Sequence, residues 1–165
     1  MTAEPVPGLR VLLGADDIGS QLRDALAAHL DAIHGVRVHC LDSGEAASDV
    51  LDVPEIARAV AEAVQRGDAD RGILICGSGV GMVIAANKVP GVRAAQCHDV
   101  YTARHARNSD DVQVIVLGSR VIGAELAKVV VDAWLAADFE PNEIRLRRLA
   151  KLAAIDDAYR GQGRR

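Results

Sequence analysis

Gly72-Ile73-Leu74-Ile75-Cys76-Gly77-Ser78-Gly79-Val80-Gly81 opens the stretch GILICGSGVGMVIAANKVPGVRAA, Gly72–Ala95, and its reading decides the fold. Gly72–Cys76 is continuously apolar, the pattern of a strand covered on both faces rather than one alternating toward solvent. It runs without a spacer into a turn of glycines and small residues, then into a helical stretch through Lys88. A strand that passes through a glycine turn into a helix is the building unit of a parallel sheet.

The same alternation recurs on both sides of this stretch. Upstream, Leu9–Leu13 reads as a short buried strand ending at Gly14, and Ser20–Ile33 as an amphipathic helix with Leu22, Leu26, Ala27 and Leu30 at helical spacing. Gly35 stops that helix, and Val36–Leu41 alternates like a strand. A polar loop, Asp42–Asp52, leads to a helix that opens at Pro54 and stops at Gly67, residue types suited to those two ends. Downstream come a fourth strand, Val92–Cys97, a fourth helix, Val100–Asn108, a fifth strand, Val114–Leu117, and a fifth helix, Gly123–Ala137. A last helix, Asn142–Tyr159, is basic near its start, and the tail RGQGRR is expected to fray. The pattern predicts an α/β fold: a Rossmann-like, doubly wound, five-stranded parallel sheet with helices on both faces, a three-layer αβα sandwich. One domain is expected over residues 1–165.

Composition excludes several functions. The chain holds one Trp, two Tyr and one Phe, too few for stacking platforms that bind single-stranded nucleic acid. A net charge of −4 argues against binding a phosphate backbone. The core must therefore be aliphatic. Cys40, Cys76 and Cys97 form no CxxC pair and no zinc-like spacing with histidine, so neither a disulfide framework nor a metal site is expected. No secretory leader or membrane span is read in the sequence, and a cytoplasmic location is expected.

In a sheet of this kind, ligands bind beyond the carboxyl ends of the strands. Three predicted strand ends carry chemistry: Gly14-Ala15-Asp16-Asp17, Cys76–Gly81, and Cys97-His98-Asp99; a fourth segment, Asn108-Ser109-Asp110-Asp111, precedes the fifth strand. The glycine turn is a poor dinucleotide fingerprint: it reads G-x-G-x-G, follows the third strand, and lacks an acidic residue closing the next one. Its small residues nonetheless leave backbone N–H groups free to face an anion or oxyanion. For Cys76 two readings stand side by side. A thiol beside such N–H groups can act as a general base; a thiol at the end of a buried strand can be no more than a small hydrophobe.

Gly72–Ala95 resembles the ribose-5-phosphate isomerase B / galactose-6-phosphate isomerase family, supported by LGADDIG (Leu13–Gly19) and VIVLGSRVIGAELAKVVVDAWLAADFE (Val114–Glu140). The resemblance runs from about Val11 to Glu140. It implies a cofactor-free, metal-free aldose–ketose isomerase acting on a small phosphorylated sugar, a homodimer or homotetramer whose active sites lie between two subunits. It implies that Cys76 shuttles a proton between C1 and C2, that Ser78 assists at the substrate oxygens, and that Gly77, Gly79, Val80 and Gly81 form the anion hole. Asp16 matches an aspartate near the substrate hydroxyls, and Arg147 a phosphate-binding arginine on a C-terminal helix that reaches the neighbouring subunit.

The departures are as informative. A phosphate-binding histidine of the family is Asp17 here, its ring-opening His-Asn pair is Ser109-Asp110, and its first phosphate arginine aligns with Glu143, or with Arg145 after a small slip. Its Tyr-Pro is Val53-Pro54. The segment HDVYTARHARNSDDVQVIVLGSRVIGAELAK resembles the erythrulose-4-phosphate isomerase branch, which also carries Ser at the ring-opening position. A tetrose 4-phosphate cannot close a furanose through its esterified O4, so nothing is left for a ring-opening histidine to do. The resemblance thus implies a tetrulose 4-phosphate substrate, with ribose 5-phosphate, or a partner subunit of a galactose-6-phosphate-type isomerase, as alternatives. Asp110 is then a candidate for guiding hydroxyl protons, and His98 a candidate phosphate ligand or a rim histidine. His29, His34, His39 and His105 read as surface residues, and Arg120 as a brace for its turn or for a subunit interface.

Overall fold

The computed structural model describes residues 8–41 and 52–159. Five strands, β1 (Leu9–Ala15), β2 (Val36–Cys40), β3 (Arg71–Cys76), β4 (Ala94–Gln96) and β5 (Val114–Gly118), form one parallel sheet in the order β2-β1-β3-β5-β4. Six helices accompany them among the described residues: α1 (Ser20–Asp31), α2 (Val53–Arg66), α3 (Val80–Ala86), α4 (Val100–Asp110), α5 (Ala124–Leu135) and α6 (Glu143–Tyr159). The sheet is doubly wound, as its alternating pattern requires. Leu13, Ile73, Ile75, Ile115 and Leu117 pack on α1, α4 and α5, while Leu74, Val114 and Val116 pack on α2 and α3. The chain leaves β1 toward one edge and β3 toward the other, so a crevice opens between their carboxyl ends.

Local chemistry explains the boundaries. The Asp52 carboxylate accepts from Val53 N–H at 2.7 Å at the head of α2, and Gly67 closes that helix. Asp99 caps α4, accepting from Thr102 N–H at 2.7 Å. The core is aliphatic apart from Trp134, which is fully buried with the Arg71 guanidinium 5.9 Å from its ring centroid.

Several expectations are corrected. β1 does not stop at Leu13 but continues through Gly14 and Ala15, because Leu74 and Ile75 of β3 go on pairing with them. β4 keeps only Ala94–Gln96 of the expected Val92–Cys97; single bonds continue beyond it, Arg93 O accepting from Gln113 N–H at 3.1 Å, Cys97 N–H donating to Val116 O at 3.1 Å, and Gln113 Oε1 accepting from Arg93 N–H at 2.8 Å. α4 runs past Asn108, so Ser109 and Asp110 belong to its last turn rather than to a loop; Asp111, with φ 49°, ends it. α1, α3 and α5 end at Asp31, Ala86 and Leu135, two residues short of the lengths their patterns suggest, and α6 opens at Glu143 behind Asn142. Most of the Asp42–Asp52 loop and the RGQGRR tail lie outside the described residues. No helix among the described residues is long and apolar enough to cross a membrane.

Candidate active site

Cys76 ends β3 with 5% of its surface exposed, and its sulfur is already engaged: Gly79 N–H donates to Sγ at 3.1 Å. Gly79 can turn its N–H back in this way because it sits at φ 87°, a conformation open to glycine. Among the described residues, the N–H groups of Gly77, Ser78 and Gly81 meet no acceptor. The carbonyls of the same turn are all held from behind. Ser119 N–H donates to Cys76 O at 2.8 Å, Arg120 N–H to Gly77 O at 3.0 Å, and Gln96 Nε2 to Ser78 O at 2.6 Å. Gly118 permits this clasp, since a Cβ there would stand 2.6 Å from Ser78 O. With its carbonyls bound inward and the N–H groups of Gly77, Ser78 and Gly81 without acceptors among the described residues, the turn has the chemistry to cradle an oxyanion.

The end of β1 closes one side. Asp16 N–H reaches Ile75 O at 3.3 Å, which seats Asp16 beside Cys76, and one carboxylate oxygen accepts from Gly19 N–H at 2.8 Å. Asp17 is exposed next to it. Ile18 and Arg120 flank Gly77, with Ile18 Cγ2 3.5 Å and Arg120 Cδ 3.7 Å from the place its Cβ would occupy. Val53, at the head of α2, lies over the turn with Cγ1 3.0 Å from a Cβ built on Gly81. Ser78 is exposed, its Oγ accepting from Val80 N–H at 3.3 Å. The structure therefore brings together Cys76, Gly77, Ser78, Gly79, Val80, Gly81, Asp16 and Asp17.

Arg120 was not read as part of this group. Its spacing in Gly-Ser-Arg carries no ligand signature, and only the return of β5 against β3 places its side chain on Gly77. Cys97 is the opposite case: burial, with Asp99 adding to it, pushes its thiol up to about 12, which leaves it a protonated core residue.

His98 is placed differently from either reading offered for it. Gly118 N–H donates to its Nε2 at 2.9 Å, and a backbone N–H can only donate, so Nε2 is unprotonated and the ring is neutral. Burial pulls its pKa below the usual histidine value, with Asp99 opposing weakly. The half-buried ring fills the ladder position that β4 vacates. While that bond holds, His98 supplies no positive charge for a phosphate.

The remaining candidates gather at the other end of the sheet. Gly72 pairs with Val114 and Cys76 with Gly118, so the residues before β5 lie by the start of β3, a strand's length from Cys76. Ser109 and Asp110 are there, Ser109 buried at 8% and Asp110 O accepting from Arg93 Nε at 2.8 Å. Arg145 and Arg147 are there too, since Glu140 N–H donates to Asn108 O at 3.0 Å and fixes the start of α6 beside α4. Arg145 is paired with Glu140 at 3.0 Å, whereas Arg147 is exposed. The candidate residues thus form two groups at opposite ends of the sheet. Among the described residues no group of three or more His, Cys, Asp or Glu side chains could hold a metal ion.

The model of the Ribose/Galactose Isomerase family matches residues 11–152. The chain belongs to that family. It is 44% identical over 147 residues to ribose-5-phosphate isomerase B of Escherichia coli, covering 89% of this chain and 96% of the relative. It is 45% identical over 132 residues to D-erythrulose-4-phosphate isomerase of Pectobacterium atrosepticum, covering 80% and 86%. The structure of Clostridium thermocellum ribose-5-phosphate isomerase B superposes with a TM-score of 0.84 at 40% identity, over 92% of this chain and 99% of that one. As a member of the ribose/galactose isomerase family this chain is an enzyme, an aldose–ketose isomerase, and its Rossmann-like sheet is the fold of its solved relatives.

Proposed function

We propose that the enzyme interconverts D-erythrulose 4-phosphate and D-erythrose 4-phosphate, in active sites completed by a second copy of the chain. The observation that supports the reaction is Cys76: a nearly buried sulfur accepting from Gly79 N–H, in a turn where the N–H groups of Gly77, Ser78 and Gly81 meet no acceptor among the described residues. The Cys76 thiolate takes a proton from C1, and the electrons of that C–H bond move into a C1–C2 double bond as the carbonyl oxygen at C2 gains charge. Turn N–H groups hold the resulting cis-enediolate. Cys76 returns the proton to C2 while the hydroxyl proton at O1 is passed to O2, so the C1 aldehyde and the C2 hydroxyl form with no net change in protons or electrons. Asp16 and Ser78 stand where the hydroxyl protons move, and Asp110 is their counterpart from the other copy.

The substrate reading rests on what stands at the ring-opening position. Ser109 has no basic nitrogen and turns into the protein, an arrangement that suits a substrate with no ring to open. Val53 on Gly81 and the aliphatic Ile18 leave low walls around a short chain. Arg120 from one copy and Arg147 from the other are the cations placed to meet the phosphate.

The test assays the purified chain alone with D-erythrulose 4-phosphate, ribose 5-phosphate and galactose 6-phosphate. The tetrulose phosphate is expected to give the highest kcat/KM, and Cys76→Ala to lower its kcat about a thousandfold or more without loss of folding. A preference for ribose 5-phosphate overturns the ring-opening argument. Activity on none of the three, recovered by adding a second family member, favours the partner-subunit reading, which the separation of the two residue groups also accommodates.

A further inference from the structure

The helix that carries Arg147 has an unusual attachment. α6 has no buried residue, and Leu149 alone of its apolar side chains is half-buried, so polar contacts weigh more than packing in its attachment. Its orientation comes from polar anchors, and the one at its start converges on Glu140. Glu140 N–H donates to Asn108 O at 3.0 Å, and Asn108 Nδ2 donates to Glu140 Oε1 at 3.2 Å. Arg145 Nη1 donates to Glu140 Oε2 at 3.0 Å and to Glu140 O at 2.8 Å. Asn142 Oδ1 caps the same turn through Arg145 N–H at 2.9 Å. The second anchor is far along the helix, where Gly91 N–H donates to Asp156 Oδ2 at 3.0 Å.

We infer that Glu140 is a positioning residue for the phosphate-binding arginine Arg147, acting by clamping Arg145 and the first turn of α6 onto the end of α4; this rests on the proposed isomerase reading. Arg147 lies two residues beyond Arg145, just over half a helical turn on and so on the opposite side of the helix. Arg145 is the half-buried cation of that turn, held by an acceptor pair from one residue, while Arg147 and Arg148 are exposed. The clamp therefore divides the cations of the turn: one is spent on holding the helix, and the next is left to meet a ligand carried by another copy. A carboxylate just ahead of a helix start also meets the favourable end of its dipole.

The experiment measures steady-state kinetics with D-erythrulose 4-phosphate, and calorimetric binding of inorganic phosphate, for the full-length enzyme and its variants. Glu140→Ala should raise KM and weaken phosphate binding by about the same factor, on the order of tenfold, with kcat held within about twofold. Glu140→Gln, which keeps one acceptor oxygen for Arg145, should recover part of both. Arg145→Met should reproduce the Glu140→Ala effect and add nothing to it in the double variant, since the two form one clamp. Unchanged KM and phosphate affinity in Glu140→Ala and Arg145→Met overturn the inference. So do additive effects, which would make Arg145 a direct ligand, and a fall in kcat matched by loss of thermal stability, which would make the role structural. Phosphate binding reads the clamp even where no sugar phosphate is turned over, so failure of the proposed function is separable from failure of this one.

Discussion

At the scale of single residues, His98 shows how one hydrogen bond changes a role. Its Nε2 accepts from Gly118 N–H, and burial keeps its pKa below the ordinary histidine value. The sign of the consequence follows from linkage: the unfolded chain takes up a proton near pH 6.5 that the folded chain resists. The contribution of His98 to stability is whole above about pH 6.5 and is lost as the pH falls toward its folded value. Unfolding monitored between pH 7.5 and 5 should show a wild-type decline that is shallower in His98→Gln, whose amide oxygen can still accept from Gly118; parallel slopes for the two proteins would refute it. The glycine turn and its Cys76–Gly79 contact lie within a few consecutive residues, so the sequence alone points to them while leaving Cys76 open between a base and a small hydrophobe. The tautomer of His98, the seat of Arg120 on Gly77 and the clamp of Glu140 were not legible in the sequence. Each depends on a partner that only the folded sheet brings near: Gly118 is 20 residues from His98, and Asn108 is 32 from Glu140.

At the scale of elements, the turn after β3 and the end of β5 act as one unit. The proposed oxyanion cradle takes its shape because the turn after β5 returns the Ser119 and Arg120 N–H groups to the carbonyls of Cys76 and Gly77, and because Gly118 lets Ser78 O approach. A methyl group at Gly118 would meet a backbone oxygen at 2.6 Å, which no rotamer change can relieve. Gly118→Ala should cost about 1–3 kcal/mol of stability and lower kcat far more than it raises KM, because the displaced N–H groups act on the transition state. Thermal melts together with kinetics decide it; wild-type kcat in a folded variant would show that the clasp does not shape the cradle. Element type was readable in advance because each helix and strand here carries its own period and stop residues. Helix ends and β4 were less so, since Asp111 adopts a left-handed conformation without being glycine and an edge strand stops where its single neighbour stops pairing.

At the scale of the whole molecule, Cys76 lies at the carboxyl end of the sheet and Arg147 beside its amino end, so the proposed site needs two copies. α6 leaves Ile144, Leu146, Leu152, Ile155 and Tyr159 at 46% exposure or more, an apolar surface of the kind that a second copy would cover. If each active site takes Cys76 from one copy and Arg147 from another, two crippled variants should repair each other. Cys76→Ala and Arg147→Ala, each nearly inactive alone, should regain on the order of one quarter of wild-type activity after mixing and reassembly. Random reassortment into dimers makes half of them hybrids, each with one intact site. Activity of the mixture no greater than the sum of its parts would place both residues in the site of one chain.

Trp134 makes these experiments easier to read. It is the single tryptophan of the chain, fully buried beside Arg71 at the amino end of the central strand, remote from Cys76 at its other end, and it lies on α5 rather than on α6. Its emission should therefore be blue-shifted and shielded from quenchers while the body stays folded, and should move red only when the core opens. Dilution that separates two copies, or a variant that loosens α6, should extinguish turnover and leave that colour untouched. The molecule thus carries its own optical means of telling a lost partner from a lost fold.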